Sequence, residues 1–277
     1  MKPAPADMLI PGRKGHRIRL PAICFNTPRT SINKNKKMKK SLALLAFAAL
    51  LPCAWTHADS AYINYRHQYA ESTRMHADRV KFGTRLDSGW GFEGELKYKT
   101  AGDRQDVAFD NTVGNGHELT ASYQHRLDEK WTLTPSLALE SIEKSTAYKM
   151  GLKLGYKVND QLSVSGRYRY DSIKLDRDKV NHQMPDNQMD DQSINRYDVW
   201  VNYASKGPWT YEYQFTYFDA DYIRYDNGKT DYEQNAAFKY RWDKRWVPFF
   251  EVGDIKVDSE DDKRQLRLRV GVQYNFL

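Results

Sequence analysis

From Asp59 onward the chain alternates apolar and polar residues with period two, the repeat of a β-strand that has one apolar and one polar face. The last segment is the cleanest. Leu266, Leu268, Val270, Val272, Tyr274 and Phe276 alternate with Gln265, Arg267, Arg269, Gly271, Gln273 and Asn275. A soluble sandwich could supply one such segment, but this chain supplies twelve. Their apolar positions begin at Ile63, Val80, Trp90, Leu119, Trp131, Tyr148, Leu162, Tyr197, Trp209, Ala236, Trp246 and Leu266. Most are about as long as the ~9 to 11 residues that a tilted strand needs to cross a bilayer.

The connections separate the possible architectures. Short turns are expected after strands 2, 4, 6, 8 and 10, at Asp87 to Gly89, Leu127 to Lys130, Asn159-Asp160, Ser205 to Pro208 and Asp243 to Arg245. Longer polar loops are expected after strands 1, 3, 7, 9 and 11, the extreme being Ser172 to Ser193, while the connection near Ser141 to Ser145 is short for this scheme. Short and long connections in alternation, with an even strand count, predict a closed twelve-stranded antiparallel transmembrane β-barrel, with short turns in the periplasm and loops outside. Tryptophan placement agrees. Trp90, Trp131, Trp209, Trp242 and Trp246 all adjoin a short turn, where an interfacial girdle would set the indole at the headgroup level. Pro135 and Pro248 fall inside strands, each removing a ladder hydrogen bond near a rim.

Composition then assigns the compartment. With 40 % hydrophobic residues and a mean hydropathy of −0.81, only the stretch near residue 45 approaches a spanning helix, so a helical membrane bundle is excluded. The net charge of +7 suggests a nucleic-acid partner until it is divided along the chain. Residues 1–58 hold 11 of the 43 basic and one of the 36 acidic residues, which leaves 32 against 35 and a charge of −3 for the remainder. No nucleic-acid partner is expected. From Met38 the chain reads as a secretory signal: Lys39 and Lys40, an apolar run from Leu42 to Leu51, Pro52, then Thr56-His57-Ala58 with cleavage after Ala58. Residues 1–37 precede this complete signal and read as an extension from an upstream start, leaving 59–277 as the barrel. Pro52 sits where lipoprotein processing at Cys53 would want a small residue. Cys24 and Cys53 both precede the cleavage point, so the mature chain has no disulfide, thiolate metal site or cysteine nucleophile.

If the apolar face meets lipid, the alternate positions line a lumen. They carry Arg66, Arg79, Lys81, Arg85, Lys97, Lys99, Arg126, Lys149, Lys153, Lys157, Arg167, Arg169, Arg196, Lys239, Arg241, Arg267 and Arg269. The acids in the same register are Glu93, Glu95, Glu118, Glu140, Asp198, Glu212, Glu233 and Glu251, so seventeen cations exceed eight acids by nine. Two readings follow. In a narrow or plugged barrel with a structural or adhesive role the charges pair; in a channel the surplus makes an anion pathway. The surplus favours the channel. Twelve strands at ~4.8 Å spacing and ~40° tilt give a backbone diameter of roughly 24 Å and a bore near 10 Å, wide enough for sugars and short oligosaccharides. Serine-hydrolase, zinc-protease, phosphate-loop and CxxC motifs are absent, and His67, His76, His117, His125 and His182 are scattered. An envelope hydrolase is therefore the weaker alternative, and neither a cofactor nor a metal is expected. The Asp-rich stretches Asp186 to Asp191 and Asp258 to Asp262 lack calcium-loop spacing and read as solvated or lipopolysaccharide-facing surface.

Four segments carry a resemblance: AYINYRH at 61–67, GRYRYD at 166–171, WVPFFEV at 246–252 and RVGVQYNFL at 269–277. Together they make residues 59–277 resemble the oligogalacturonate-specific porin family (KdgM type), small monomeric outer-membrane channels for acidic sugars, and most nearly its OmpL-like branch. The resemblance implies passive passage of anionic sugars along basic lumen tracks, with Arg66, Arg167, Arg169 and Arg269 on matching positions. Arg267 joins them as an expected continuous track, because strands 1 and 12 meet when the barrel closes. The expected partners are acidic sugars, outer-membrane lipid and lipopolysaccharide, and the barrel assembly machinery. Such barrels commonly end in an aromatic; here Phe276, in the lipid-facing phase, is followed by Leu277.

Overall fold

The computed structural model describes residues 58–176 and 191–276. Residues 1–57 with both cysteines, His182, most of the connection between strands 7 and 8, and Leu277 lie outside the described residues. Twelve long strands follow the predicted alternation. They are β1 (Ala58–Ala70), β2 (His76–Leu86), β3 (Trp90–Thr100), β4 (Thr112–Tyr123), β5 (Trp131–Ser141) and β6 (Ser145–Lys157). After these come β7 (Leu162–Leu175), β8 (Gln192–Ala204), β9 (Trp209–Ala220), β10 (Thr230–Tyr240), β11 (Trp246–Lys256) and β12 (Arg264–Asn275). Every neighbour in sequence is an antiparallel neighbour in the sheet, and β1 pairs with β12, which closes the barrel.

Register fixes which face each residue takes. Tyr65 lies opposite Val80 and Val272, and Leu137 opposite Ala121 and Met150, so one phase of every strand forms a continuous apolar outer surface. Leu137, Met150 and Val270 there are 62 %, 54 % and 51 % exposed. In lipid this is the solvated state of a barrel strand rather than a defect. The inner phase is polar, and its buried members include Asn64, Lys149, Asp171, Asp198, Thr216, Asn235 and Arg267.

The girdle forms at the turn end. Trp90, Trp131, Trp209 and Trp246 each begin a strand and each lies beside the tyrosine directly opposite it, with ring centroids 5.2 Å from Tyr123, 4.5 Å from Tyr156, 4.9 Å from Tyr240 and 4.7 Å from Tyr274. Trp242 stands in the turn between β10 and β11 and is 76 % exposed. Three turns share one local device. Asp128, Asn159 and Asp243 each accept the backbone N–H groups two and three residues ahead through a side-chain oxygen, at 2.6 to 2.9 Å. This Asx geometry folds the chain back immediately before the next strand.

One expectation is corrected, and the ladder break expected at Pro135 is seen. The connection after β1 is only residues 71–75, because β1 and β2 keep pairing above the apolar band as far as Tyr69 and His76. The wall between β4 and β5 is interrupted: pairing stops at Ser122 with Ser136 and resumes in the same register at His125 with Leu133. Pro135 lies in that gap and has no N–H to donate. The N–H of Gln124 turns instead to the carbonyl of Gly89, 2.8 Å away, and the two residues His125–Arg126 continue β4 beyond the break.

Candidate functional site in the barrel lumen

Strand parity puts the basic residues in the inward phase, with Arg126 on the continuation of β4 and Arg241 one residue past β10. Most are not free. On the wall built by β1, β2, β3 and β12, Arg79 pairs with Glu95 at 3.1 Å and Lys81 with Glu93 at 2.9 Å; the Tyr62 hydroxyl also donates to Glu93, at 2.5 Å. Arg66 and Arg269 share Glu251 of β11, Arg66 at 4.0 Å and Arg269 by a direct ion pair, while Arg269 Nε also donates to Gln68 at 2.8 Å. A carboxylate placed between two guanidiniums is what lets them sit on adjacent strands of a low-dielectric wall. Arg267 turns away from that seam toward β10, donating to Asn235 at 2.6 Å and lying 3.4 Å from Glu233. Lys239 lies 3.0 Å from Glu212.

A second cluster occupies the strands across the lumen. Asp198, whose side chain is 0 % exposed, accepts from Arg167 at 2.7 and 2.9 Å, from Arg196 at 2.8 and 2.9 Å, and from Thr216 at 2.7 Å. Arg169 makes a two-point contact with Asp171, both bonds 2.7 Å. Nearby, Lys97 and Lys149 are each held by both Glu118 and Glu140, at 2.5 to 3.5 Å. Six strand steps separate β1 from β7 in a ring of twelve, so the Arg66/Arg269 cluster and the Arg167/Arg169 cluster stand on opposite walls. The expected single continuous track is corrected to two facing groups.

The sequence reading missed Asp171 and Asp231, both in the inward phase; Asp231 lies 3.3 Å from Arg224. Counting them lowers the surplus of wall cations from nine to seven. Asp171 was readable from parity, since it follows Arg167 and Arg169 on the same face, but it stands where the strand was expected to end.

What remains without a carboxylate partner among the described residues is concentrated at the turn end: Lys153, Arg126 and Arg241, with Arg85 bonded only to the Gly89 carbonyl at 2.9 Å. Lys99, at the loop end of β3, is the other. Arg85, Arg126 and Lys153 line a cavity of about 680 Å³, together with Lys130, Lys157, Asp128 and Glu129. Lys157 is paired with Asp160 at 2.8 Å. Farther in, a cavity of about 440 Å³ is bounded by Tyr62, Arg66, Arg79 and Lys81 on one side and Glu212, Gln214 and Lys239 on another. Side chains thus divide the bore into chambers, and it is narrower than the backbone cylinder implies. Among the described residues no group of three or more His, Cys, Asp or Glu side chains is placed to hold a metal ion.

A closed twelve-stranded barrel with an apolar outer band, an aromatic girdle and a polar, predominantly basic lumen defines an outer-membrane channel protein. The family model for the oligogalacturonate-specific porin protein (KdgM) matches residues 54–276, and the chain belongs to that family. It is 35 % identical over 241 residues to YiiY of Salmonella typhimurium, covering 86 % of this chain and 98 % of the relative. It is 32 % identical to the oligogalacturonate-specific porin KdgM of Dickeya dadantii, over 86 % of this chain and all of that protein. The solved KdgM porin superposes with a TM-score of 0.58 at 27 % identity, covering 78 % of this chain and 99 % of that one.

Proposed function

We propose that this outer-membrane porin passes anionic sugars and short acidic oligosaccharides by diffusion through its basic lumen. The observation that carries the reading is the chamber at the turn end, where Arg85, Arg126 and Lys153 have no carboxylate partner among the described residues and face a space of about 680 Å³, within the ~300 to 1,000 Å³ of small-molecule sites. Unpaired cations in a low-dielectric wall attract anions, and several weak sites in series let a solute leave as well as enter. The two-point contact of Arg169 Nε and Nη2 with the two carboxylate oxygens of Asp171 is the geometry a guanidinium offers any carboxylate, and Arg167 directs the same two nitrogens at one oxygen of Asp198. A uronate passing those walls meets donors already oriented for it. The names of KdgM, an oligogalacturonate-specific porin, and of a solved complex of the KdgM porin with disordered oligogalacturonate support the same solute class.

The pore-lining set remains the one read from the sequence, with the turn-end members as its effective anion site. The chain acts as a monomeric channel rather than an enzyme, residues 38–58 act as its export signal, and the strand ending at Phe276 is what the barrel assembly machinery reads. Reversal potentials in a planar bilayer under a salt gradient, with liposome swelling in neutral and anionic sugars of matched size, test the function. Anion preference and faster entry of galacturonate than of galactose are expected. Cation preference, or no conductance, would return the plugged structural barrel.

The plugged reading has its own observation, the dense pairing across both walls. The unpaired turn-end cations weigh against it, because a barrel kept only for stability would gain from neutralising them.

A further inference from the structure

Five of the six tryptophans after residue 58 belong to the girdle at the turn end, and the sixth does not. Trp200 sits in the middle of β8, in the phase that points into the lumen, between Ser165 of β7 and Gln214 of β9. Ser165 lines the turn-end chamber and Gln214 the inner one, so Trp200 stands at the partition between the two. Two cations lie on its ring. Lys153 Nζ is 4.5 Å and Arg167 Cζ 5.0 Å from the ring centroid. Arg167 is also anchored by Asp198, whereas Lys153 has no carboxylate within ion-pair distance among the described residues and itself lines the turn-end chamber. Its hold on the indole is therefore the exchangeable one.

We propose that Trp200, Lys153 and Arg167 form the recognition station of this pore, specific for a carboxylated pyranose. The inference rests on the porin reading and names the feature by which the lumen tells an acidic sugar from a small anion. A cation over an aromatic face is held more weakly than one bonded to a carboxylate. When a uronate reaches the partition, the Lys153 ammonium moves from the ring to the sugar carboxylate, with Arg167 available as a second donor. The indole face so uncovered is flat, apolar and electron-rich, and the C–H face of a pyranose ring stacks on it. Each half of the contact needs the other. Chloride has the charge but no C–H face, and galactose has the face but no carboxylate to draw Lys153 away. No bond is made or broken, so the solute leaves when Lys153 returns to the ring.

The test uses the intact barrel, with folding of each variant checked by its heat-modifiable migration on gels. In planar bilayers, galacturonate should block the chloride current at concentrations where galactose does not. Trp200→Ala should weaken that block by about tenfold, the scale of one lost aromatic contact, with little change in the reversal potential in potassium chloride. Trp200→Phe should keep most of the block, and Lys153→Gln should lose it together with part of the anion preference. In detergent, galacturonate should produce a saturable change in tryptophan emission in the wild type that is missing in Trp200→Phe, a readout that does not depend on conduction. An unchanged block in Trp200→Ala, or equal gains in flux for galactose and galacturonate, would reduce Trp200 to a steric filler and overturn the proposal while leaving the porin intact. An absent conductance with the emission change retained would overturn the porin reading and leave the binding station standing. Loss of both would overturn both.

Discussion

Asp198 shows how much one lumen residue can hold. Its carboxylate has no exposed surface and joins Arg167 on the strand to one side, Arg196 on its own strand, and Thr216 and Gln214 on the other side. Asp198→Ala is expected to cost about 3 to 5 kcal/mol, because it strands two guanidiniums in a low-dielectric wall. Denaturant unfolding of the detergent-solubilised barrel measures it, and a loss under about 1 kcal/mol would mean that water already screens the cluster. The Asx turns give a second prediction at this scale. Asp243 is exposed, and the backbone N–H groups of Trp246 and Arg245 hold its carboxyl below the ordinary aspartate value. A folded-state pKa below the unfolded one means that the stabilisation is complete above about pH 4 and is lost as pH falls through the lower value. Asp243→Ala should lower the temperature of heat modification at neutral pH, whereas Asp243→Asn should be nearly silent there and should remove this turn's share of the acid sensitivity. Asn159 already closes the turn between β6 and β7 in the same way, donated to by the N–H groups of Gln161 and Leu162. Parity in the sequence was enough to put Arg167, Arg196 and Asp198 on one face. Their pairing was not legible, since it depends on which residues the register sets side by side across neighbouring strands.

At the scale of elements, the turn ends of the strands were legible and the loop ends were not: the fourth strand, read from Leu119, begins at Thr112, and the tenth, read from Ala236, begins at Thr230. A girdle tryptophan opens four of the strands, and its cross-strand tyrosine marks where the neighbour stops, so the turn end carries its own punctuation. At the loop end, pairing continues past the apolar band through residues such as Asp171 to Leu175 of β7, which look like loop by composition. Backbone hydrogen bonds, not lipid, set the strand length there. The seam that closes the barrel has a tighter requirement. Gly271 of β12 lies opposite Arg66, and a Cβ there would collide with the carbonyl oxygen of Tyr65 and the ring of Phe249. The obstacle includes backbone, which cannot swing aside, so Gly271→Ala should destabilise the barrel by about 1 to 3 kcal/mol. A lower midpoint in urea with an unchanged strand-dominated circular dichroism spectrum is the expected result; an unchanged midpoint would show that the β1–β12 seam can spread.

For the whole molecule, charge location matters more than charge count. Counting from the sequence spreads a surplus of cations evenly along the bore. In the structure the cations of the two facing walls are largely matched by Glu251, Asp198, Asp171 and their neighbours, and the unmatched ones gather at one mouth. On the proposed function, such a channel is expected to filter anions at the turn end and to conduct asymmetrically, since screening by salt reaches an open mouth before it reaches paired charges in the wall. Arg85→Gln with Arg126→Gln removes two of the unmatched cations and strands no carboxylate. Arg167→Ala with Arg169→Ala removes two guanidiniums as well, but leaves Asp171 without its bidentate partner and takes Arg167 from Asp198. The first pair should move the reversal potential toward zero and flatten the asymmetry of the current–voltage curve, most clearly at about 0.1 M salt, where the Debye length is near 10 Å. The second should disturb stability as well as selectivity. If the Arg85/Arg126 variant keeps both anion preference and asymmetry, selection does not occur at the turn-end chamber, and the paired walls, whose guanidiniums would then have to exchange their acids for a passing solute, become the filter instead.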